Sequence, residues 1–416
     1  MRSILFVATT LALLTACQRP AQSDAPVRSA AANTADAPAA AATLPDAGFA
    51  YAELGIADLQ TRMTRGELSS HALTQAYLDR IAALDDAGPR LNAVIELNPN
   101  ALKEADALDA ERKAGQLRGP LHGVPILLKD NIDATPMANS AGSLALASFK
   151  PKTDAFVVTR LRQAGAVILG KTNLSEWANF RSSHSTSGWS ARGGQTLNPY
   201  ALDRSPCGSS SGSGSAVAAN LAAAAIGTET DGSILCPSAV AGLVGIKPTV
   251  GLISRNGIIP ISHSQDTPGP MARSVADAAV LLSSMVGRDE GDAATAESTG
   301  RAMFDYHARL DPNALSGARI GVLRKAAGFH PGVDAAFERS IATLRQAGAE
   351  VVDVEIATAG QWRDAEMDVL LAEFKHGVDG YLSRNDAPVK SLAALIDYNR
   401  RNAATEMPMF GQDLFE

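Results

Sequence analysis

The sequence has no basic run. Its 37 lysines and arginines stand against 44 aspartates and glutamates, a net charge of −7 that argues against nucleic acid as a partner. Its N-terminal apolar run, Ile4 to Leu14, is too short to span a bilayer. There are only three cysteines, Cys17, Cys207 and Cys236, so no disulfide scaffold carries the fold. The seven histidines are scattered, with no pair at i, i+4 and none beside a cysteine. That spacing predicts no metal site, and no cofactor is expected. What remains is ordinary globular composition, 46% hydrophobic and 19% charged, long enough for one large domain or two.

The N-terminus reads as an export signal. Arg2 supplies a positive start, the apolar run follows, and small residues lead to Cys17. Leu14-Thr15-Ala16-Cys17 resembles a bacterial lipoprotein cleavage box, in which the cysteine becomes the lipidated first residue. A plain signal peptide with an incidental cysteine is the alternative; the cysteine's place at the cleavage point favours lipidation. Gln18, rather than Asp, follows it, a pattern that resembles outer-membrane sorting. Residues 18–48 are rich in Ala, Pro, Ser and Asp, without periodicity, and read as a flexible tether. The expected layout is a signal peptide over 1–16, an anchor cysteine and tether over 17–48, and a folded domain over 49–416. The expected location is a bacterial membrane facing the periplasm, attached only through the lipid; a soluble periplasmic or secreted protein is the alternative.

Within the domain, helices are predicted over Leu54 to Gly66, Ser69 to Leu84 and Pro99 to Gly115, the second capped by Ser69 or Ser70. Val124 to Leu128 reads as a buried strand. Leu161 to Gly165 ends a helix, and Ala166 to Leu169 reads as the strand after it. The same hexapeptide, LRQAGA, recurs at Leu344 to Ala349 before a strand at Val351 to Val354. Val333, Phe337, Ile341 and Leu344 mark the apolar face of that second helix, and Ala318 to Leu323 is a further strand. Lys375 to Glu416 is helix-leaning. Helix, glycine stop and buried strand in alternation predict an α/β fold.

Gly165 to Thr172, GAVILGKT, fits the phosphate-loop pattern G-x-x-x-x-G-K-T letter for letter. Its interior is Ala-Val-Ile-Leu, a strand rather than a glycine-rich turn, and no helix follows at once. Nucleotide binding is therefore rejected.

Two serine sites and one lysine remain. Cys207 to Val217 reads CGSSSGSGSAV, Gly227 to Ser238 reads GTETDGSILCPS, and Lys129 ends the apolar GVPILLK. A Gly/Ser run can be a linker. This one leads straight into Ala216 to Ala225, predicted as a buried helix, so it is expected to be shaped and packed, with backbone N–H groups able to converge on an anion. Serine needs a base to become a nucleophile, and a lysine buried among Val124, Ile126, Leu127 and Leu128 would lose its proton more readily. Each residue has a plainer reading. Lys129 could pair with Asp130 or Asp133, Ser209 could be a turn residue, and Ser233 could cap a helix.

These stretches, with GLVGIKPT at Gly242 to Thr249 and the run from Val250 to Ala279, resemble the amidase signature family, and within it the bacterial peptide amidases. The resemblance is strong from Leu54 to Val286 and thinner beyond. It implies a single domain with a mixed central sheet covered by helices on both faces. It implies hydrolysis of a carboxamide to acid and ammonia through an acyl-enzyme, the C-terminal amide of a peptide being the substrate. By the resemblance Ser233 is the nucleophile, Ser209 the middle serine on a cis peptide, and Lys129 the base. The N–H groups of Thr230, Asp231, Gly232 and Ser233 form the oxyanion hole, and Thr228 is a supporting hydroxyl. Asp231 and Leu235 stand where most members carry Gly and Arg; the peptide amidase branch resembles the chain at both positions.

Other readings stay open at this point: a hydrolase of aryl or fatty amides, one component of a glutaminyl-tRNA amidotransferase, or a peptide-binding lipoprotein without turnover. The export signal argues against the second, and Lys129, Ser209 and Ser233 together argue against the third. The stretch from Trp177 to Ser190 reads equally as pocket lining or as a surface loop. Export would permit a Cys207–Cys236 disulfide; two free, buried cysteines are favoured. Relatives continue past the point matching Glu416, so the domain is expected to lack a closing C-terminal part and to be less stable than a full-length relative.

Overall fold

The computed structural model describes residues 48–302 and 304–416. The signal peptide, Cys17 and all of the tether but Gly48 lie outside the described residues.

Helices α1 (Ile56–Thr64) and α2 (Ser70–Ile81) open the domain. Ser69 caps α2, its hydroxyl accepting the N–H of Ala72 at 3.0 Å. Strand β1 (Val94–Leu97) and helix α3 (Ala101–Lys113) lead to β2 (Pro125–Lys129). Helix α4 (Phe156–Gln163) crosses over to β3 (Val167–Thr172). A short hairpin, β4 (Trp189–Ser190) with β5 (Gly194–Gln195), precedes α5 (Ser211–Ala218) and β6 (Ala224–Glu229). Then come α6 (Leu235–Val240), β7 (Val244–Gly245), β8 (Thr267–Ala272) and α7 (Val275–Met285).

The central sheet has six strands in the order β1-β3-β2-β6-β8-β7. Strands β3, β2 and β6 run parallel; β1, β8 and β7 each pair antiparallel with a neighbour, so the sheet is mixed, as expected. Every residue of β2, β3, β6 and β8 is buried, which requires cover on both faces. From β2 the chain passes to β3 on one side, then returns to place β6 on the other. The carboxyl ends of β2 and β6 therefore meet at a switch in crossover direction, where open α/β sheets form their binding crevice.

The two LRQAGA copies both end a helix, with Gly165 and Gly348 at φ +91°. Their strands have different fates. The first feeds β3. The second follows α8 (Pro331–Gln346), of whose predicted apolar face only Ile341 is buried. It leads to β10 (Glu350–Asp353), which pairs with β9 (Arg319–Val322) in a separate two-stranded parallel sheet. Helices α9 (Arg363–Arg384), α10 (Leu392–Arg401) and α11 (Ala403–Glu406) complete the chain. Phe374 and Tyr381 of α9 join Trp177, Phe180 and Phe415 in a second apolar cluster beside the main core.

One element differs from expectation. The helix predicted over Ala216 to Ala225 instead begins inside the Gly/Ser run, at Ser211, and ends at Ala218. Asn220 adopts φ 56°, which stops it, and Ala224 and Ala225 enter β6. An alanine run carries no periodic mark to separate the two states. The run's glycines serve packing: a Cβ at Gly212 would stand 2.3 Å from the Ala93 carbonyl oxygen and 2.5 Å from that of Asn173.

Candidate active site

Lys129 is the last residue of β2 and is fully buried. Its Nζ lies 2.7 Å from Ser209 Oγ, 2.9 Å from Thr228 Oγ1 and 3.1 Å from the Thr228 carbonyl. Loss of hydration lowers its pKa from 10.5 to about 7, against the opposing pull of Asp266 and Glu229. Among the described residues it forms no ion pair. The alternative partners are engaged elsewhere. Asp130 pairs with Lys171 at 3.1 Å and with Arg192 at 3.3 Å. Asp133 takes the Tyr381 hydroxyl at 2.5 Å and Asn139 Nδ2 at 2.6 Å. Lys171, the lysine of GAVILGKT, therefore points into a buried ion pair on a continuous strand, as a phosphate-binding lysine would not.

Ser209 stands on a cis Gly208–Ser209 peptide bond, and its carbonyl accepts the N–H of Ser175 at 3.1 Å. The other serines of the run are structural. Ser210 Oγ donates to the Thr228 carbonyl at 3.1 Å, Ser213 bonds Thr172 Oγ1 at 2.7 Å, and Ser215 donates to the Leu197 carbonyl at 2.8 Å. Only Ser209 meets the lysine.

Ser233 lies in the turn between β6 and α6 and lines the same cavity as Ser209. Its hydroxyl has no hydrogen-bond partner among the described residues, so no direct bond joins it to Ser209. The turn is fixed from beneath. The buried Glu229 carboxylate accepts the N–H groups of Ile234 and Leu235 at 2.7 and 2.9 Å. Asp266 holds Thr230 Oγ1 at 2.5 Å, and burial pushes the Asp266 carboxyl up. The N–H groups just before, those of Thr230, Asp231, Gly232 and Ser233, have no acceptor among the described residues. A set of bare N–H groups beside a free serine hydroxyl can hold an oxyanion.

The two serine segments are joined. Ser210 N–H donates to the Ser233 carbonyl at 3.0 Å. Cys207 and Cys236 form a disulfide, with Cα atoms 5.9 Å apart. This corrects the expectation of two free, buried cysteines. Both are only half-buried, and the Gly/Ser run and the start of α6 converge where neither motif alone shows it. A bridge across 29 positions stabilises by about 2–4 kcal/mol.

The cavity has a volume of about 670 Å³ and reaches from Ser209 and Ser233 to Tyr381 and Arg384 of α9. Asp133 forms part of its wall, its carboxyl raised to about 6 by burial. Trp177 to Ser190 is neither simple alternative. Of it only Ala178 faces the cavity, while Trp177, Phe180, Arg181 and Trp189 are buried in packing contacts. Asn131, Glu229 and Asp266 were not singled out from sequence. Asn131 lies two residues past Lys129 in the same motif; the acids carry no pattern that marks them. No group of three or more metal-binding side chains comes together among the described residues.

A family model described as Amidase matches residues 72–408. A probable amidase of Arabidopsis thaliana is 44% identical over 379 residues, covering 88% of the chain and 72% of the plant protein. A putative amidase of Schizosaccharomyces pombe is 41% identical over 389 residues, covering 86% of the chain and 66% of the yeast protein. The native peptide amidase of Stenotrophomonas maltophilia superposes with a TM-score of 0.86 at 62% identity, covering 88% of the chain and 75% of the amidase. The chain thus spans between 66% and 75% of the length of these three relatives. A peptide amidase solved in complex with the competitive inhibitor chymostatin likewise superposes with a TM-score of 0.86 at 62% identity.

Proposed function

The chain belongs to the amidase family, and from that membership we propose that it hydrolyses the C-terminal carboxamide of peptides to acid and ammonia. The observation that carries the chemistry is the buried Lys129 held at 2.7 Å from Ser209 on the cavity that Ser233 lines. The substrate class rests on 62% identity to a peptide amidase. Neutral Lys129 takes the Ser209 proton while Ser209, drawn within hydrogen-bond reach of Ser233 as the site tightens on substrate, takes that of Ser233. Ser233 Oγ attacks the amide carbonyl carbon, and the oxyanion settles on the N–H groups of Thr230 to Ser233. When the tetrahedral adduct collapses, the C–N bond breaks, the proton returns through Ser209, and ammonia leaves. Water then attacks the acyl-enzyme by the same relay and releases the acid. One well-placed oxyanion donor contributes about 3–4 kcal/mol to such a step.

The test is ammonia release from a short C-terminally amidated peptide, wild type beside Ser233→Ala. Release by wild type alone is expected. Equal release by both proteins would remove the mechanism, and a folded wild type that acts on an aryl amide but not on the peptide would move the substrate to that class.

For location, the proposal is a lipid anchor at Cys17 holding the domain at a membrane facing the periplasm, by analogy with the lipoprotein cleavage box. Cys17→Ser is expected to shift the protein from the membrane to the soluble fraction of its host cell; unchanged membrane attachment would refute the anchor.

A further inference from the structure

We propose that Asn131 is the residue that reads the leaving group: its Oδ1 accepts an N–H of the carboxamide nitrogen that departs as ammonia. The inference rests on the amidase reading above and names a substrate contact within that site.

Asn131 follows Lys129 around a turn closed by Ile132 N–H to the Lys129 carbonyl at 3.1 Å. Its Nδ2 donates to Thr228 Oγ1 at 2.9 Å, the same oxygen that Lys129 Nζ meets at 2.9 Å. That bond fixes one end of the side-chain amide. The other end, Oδ1, is closed to solvent and has no hydrogen-bond partner among the described residues, although the residue lines the cavity with Ser209 and Ser233. The residue is 4% exposed. A buried amide oxygen without a donor is costly, and such groups in folded proteins call for a reason. A donor that arrives with substrate is one.

The layout selects the donor. The bare N–H groups of Thr230 to Ser233 suit the carbonyl oxygen. The leaving nitrogen must then approach Ser209, which returns its proton, and so the side of the cavity where Thr228 and Asn131 stand, in front of the buried Lys129. A carboxamide nitrogen carries two hydrogens there; an ester oxygen and a carboxylate carry none. Accepting one N–H would hold the nitrogen with its forming lone pair toward Ser209. Asn131 thus favours amides over isosteric esters, since a site that hydrogen-bonds an N–H penalises the analogue lacking it.

The test separates binding from turnover. In the Ser233→Ala protein, affinities are measured for an amidated peptide and for its methyl ester. Adding Asn131→Leu is expected to weaken the amide about tenfold while moving the ester less than about twofold. Asn131→Asp, which keeps an acceptor in place, is expected to retain the amide preference. Equal loss for both ligands, or no loss for either, overturns the assignment and leaves Asn131 as a support for Thr228. Should Ser233→Ala bind neither ligand and the wild type release no ammonia, the amidase reading fails and the inference with it.

Discussion

Lys129→Met is expected to lower ammonia release by about a thousandfold or more while leaving a folded protein, because it removes the one base that touches Ser209 among the described residues. The wild-type pH profile follows from the same group. A lysine whose pKa is lowered to about 7 is neutral, and able to take a proton, above that value. The ratio kcat/KM should therefore rise with pH through about 7 and level off above it, with the rate at pH 6 about tenfold below the plateau. A profile flat from pH 5 to 9 in a Ser233-dependent enzyme would exclude Lys129 as the base. Lys129→Arg should be as inactive as the methionine variant, since guanidinium keeps its proton throughout.

The same lysine sets a pH dependence of stability. In the unfolded chain Lys129 holds its proton to about 10.5, and in the fold only to about 7. Folding thus releases a proton between those values, and this group's contribution to stability rises with pH across that window. Below pH 7 the protein carries the full cost of a buried ammonium. Methionine fills similar space without that cost, although it leaves the Ser209 and Thr228 hydroxyls short of a partner. The two effects oppose, so Lys129→Met should melt within a few degrees of wild type at pH 6. A collapse in its melting temperature would mean that the lysine is structural first.

The site was legible in sequence to the extent that it lies within local motifs. Lys129 closes an apolar strand, and both serine sites sit next to small-residue runs, so their neighbourhoods could be read from a dozen residues each. The alternation of helix, glycine stop and strand likewise marks β3 and β10, and a bounded apolar run marks β2. Long-range pairing was not legible. Cys207 and Cys236 meet because two turns converge at the carboxyl ends of β2 and β6, and nothing in either motif encodes that meeting. Glu229 reads as one more acid in TETDG, yet it clamps two N–H groups of the turn that carries Ser233. Trp177, Ala178 and Asn179 adopt φ of 50°, 52° and 70° in succession, which their residue types disfavour. Contacts with Phe374 and Phe415 hold Trp177 in place, and both lie far along the chain.

Arg181 shows how much of that loop depends on distant chain. Its side chain is fully buried and pairs with Glu176 through Nη1. It also donates to the carbonyls of Glu406 at 2.7 Å, Phe410 at 3.2 Å and Gly411 at 3.2 Å, and lies 4.3 Å from the Phe410 ring centre. Burial pushes the Glu176 carboxyl up, Arg181 pulls it down, and the nearby Glu406 raises it again. One guanidinium therefore stands between two acids and caps the chain after α11. Arg181→Met leaves both acids without that charge and three carbonyls without a donor. It should cost about 3–5 kcal/mol, measured as a lower denaturant midpoint at unchanged slope. Lysine keeps the charge but cannot spread donors over a carboxylate and three carbonyls, so Arg181→Lys should recover less than half of the loss. A methionine variant as stable as wild type would mean that the loop and the C-terminal segment hold together by apolar packing alone. Because the same loop carries Ala178 to the cavity wall, the destabilised variant should also lose peptide affinity before it unfolds, seen as a KM that rises while kcat holds.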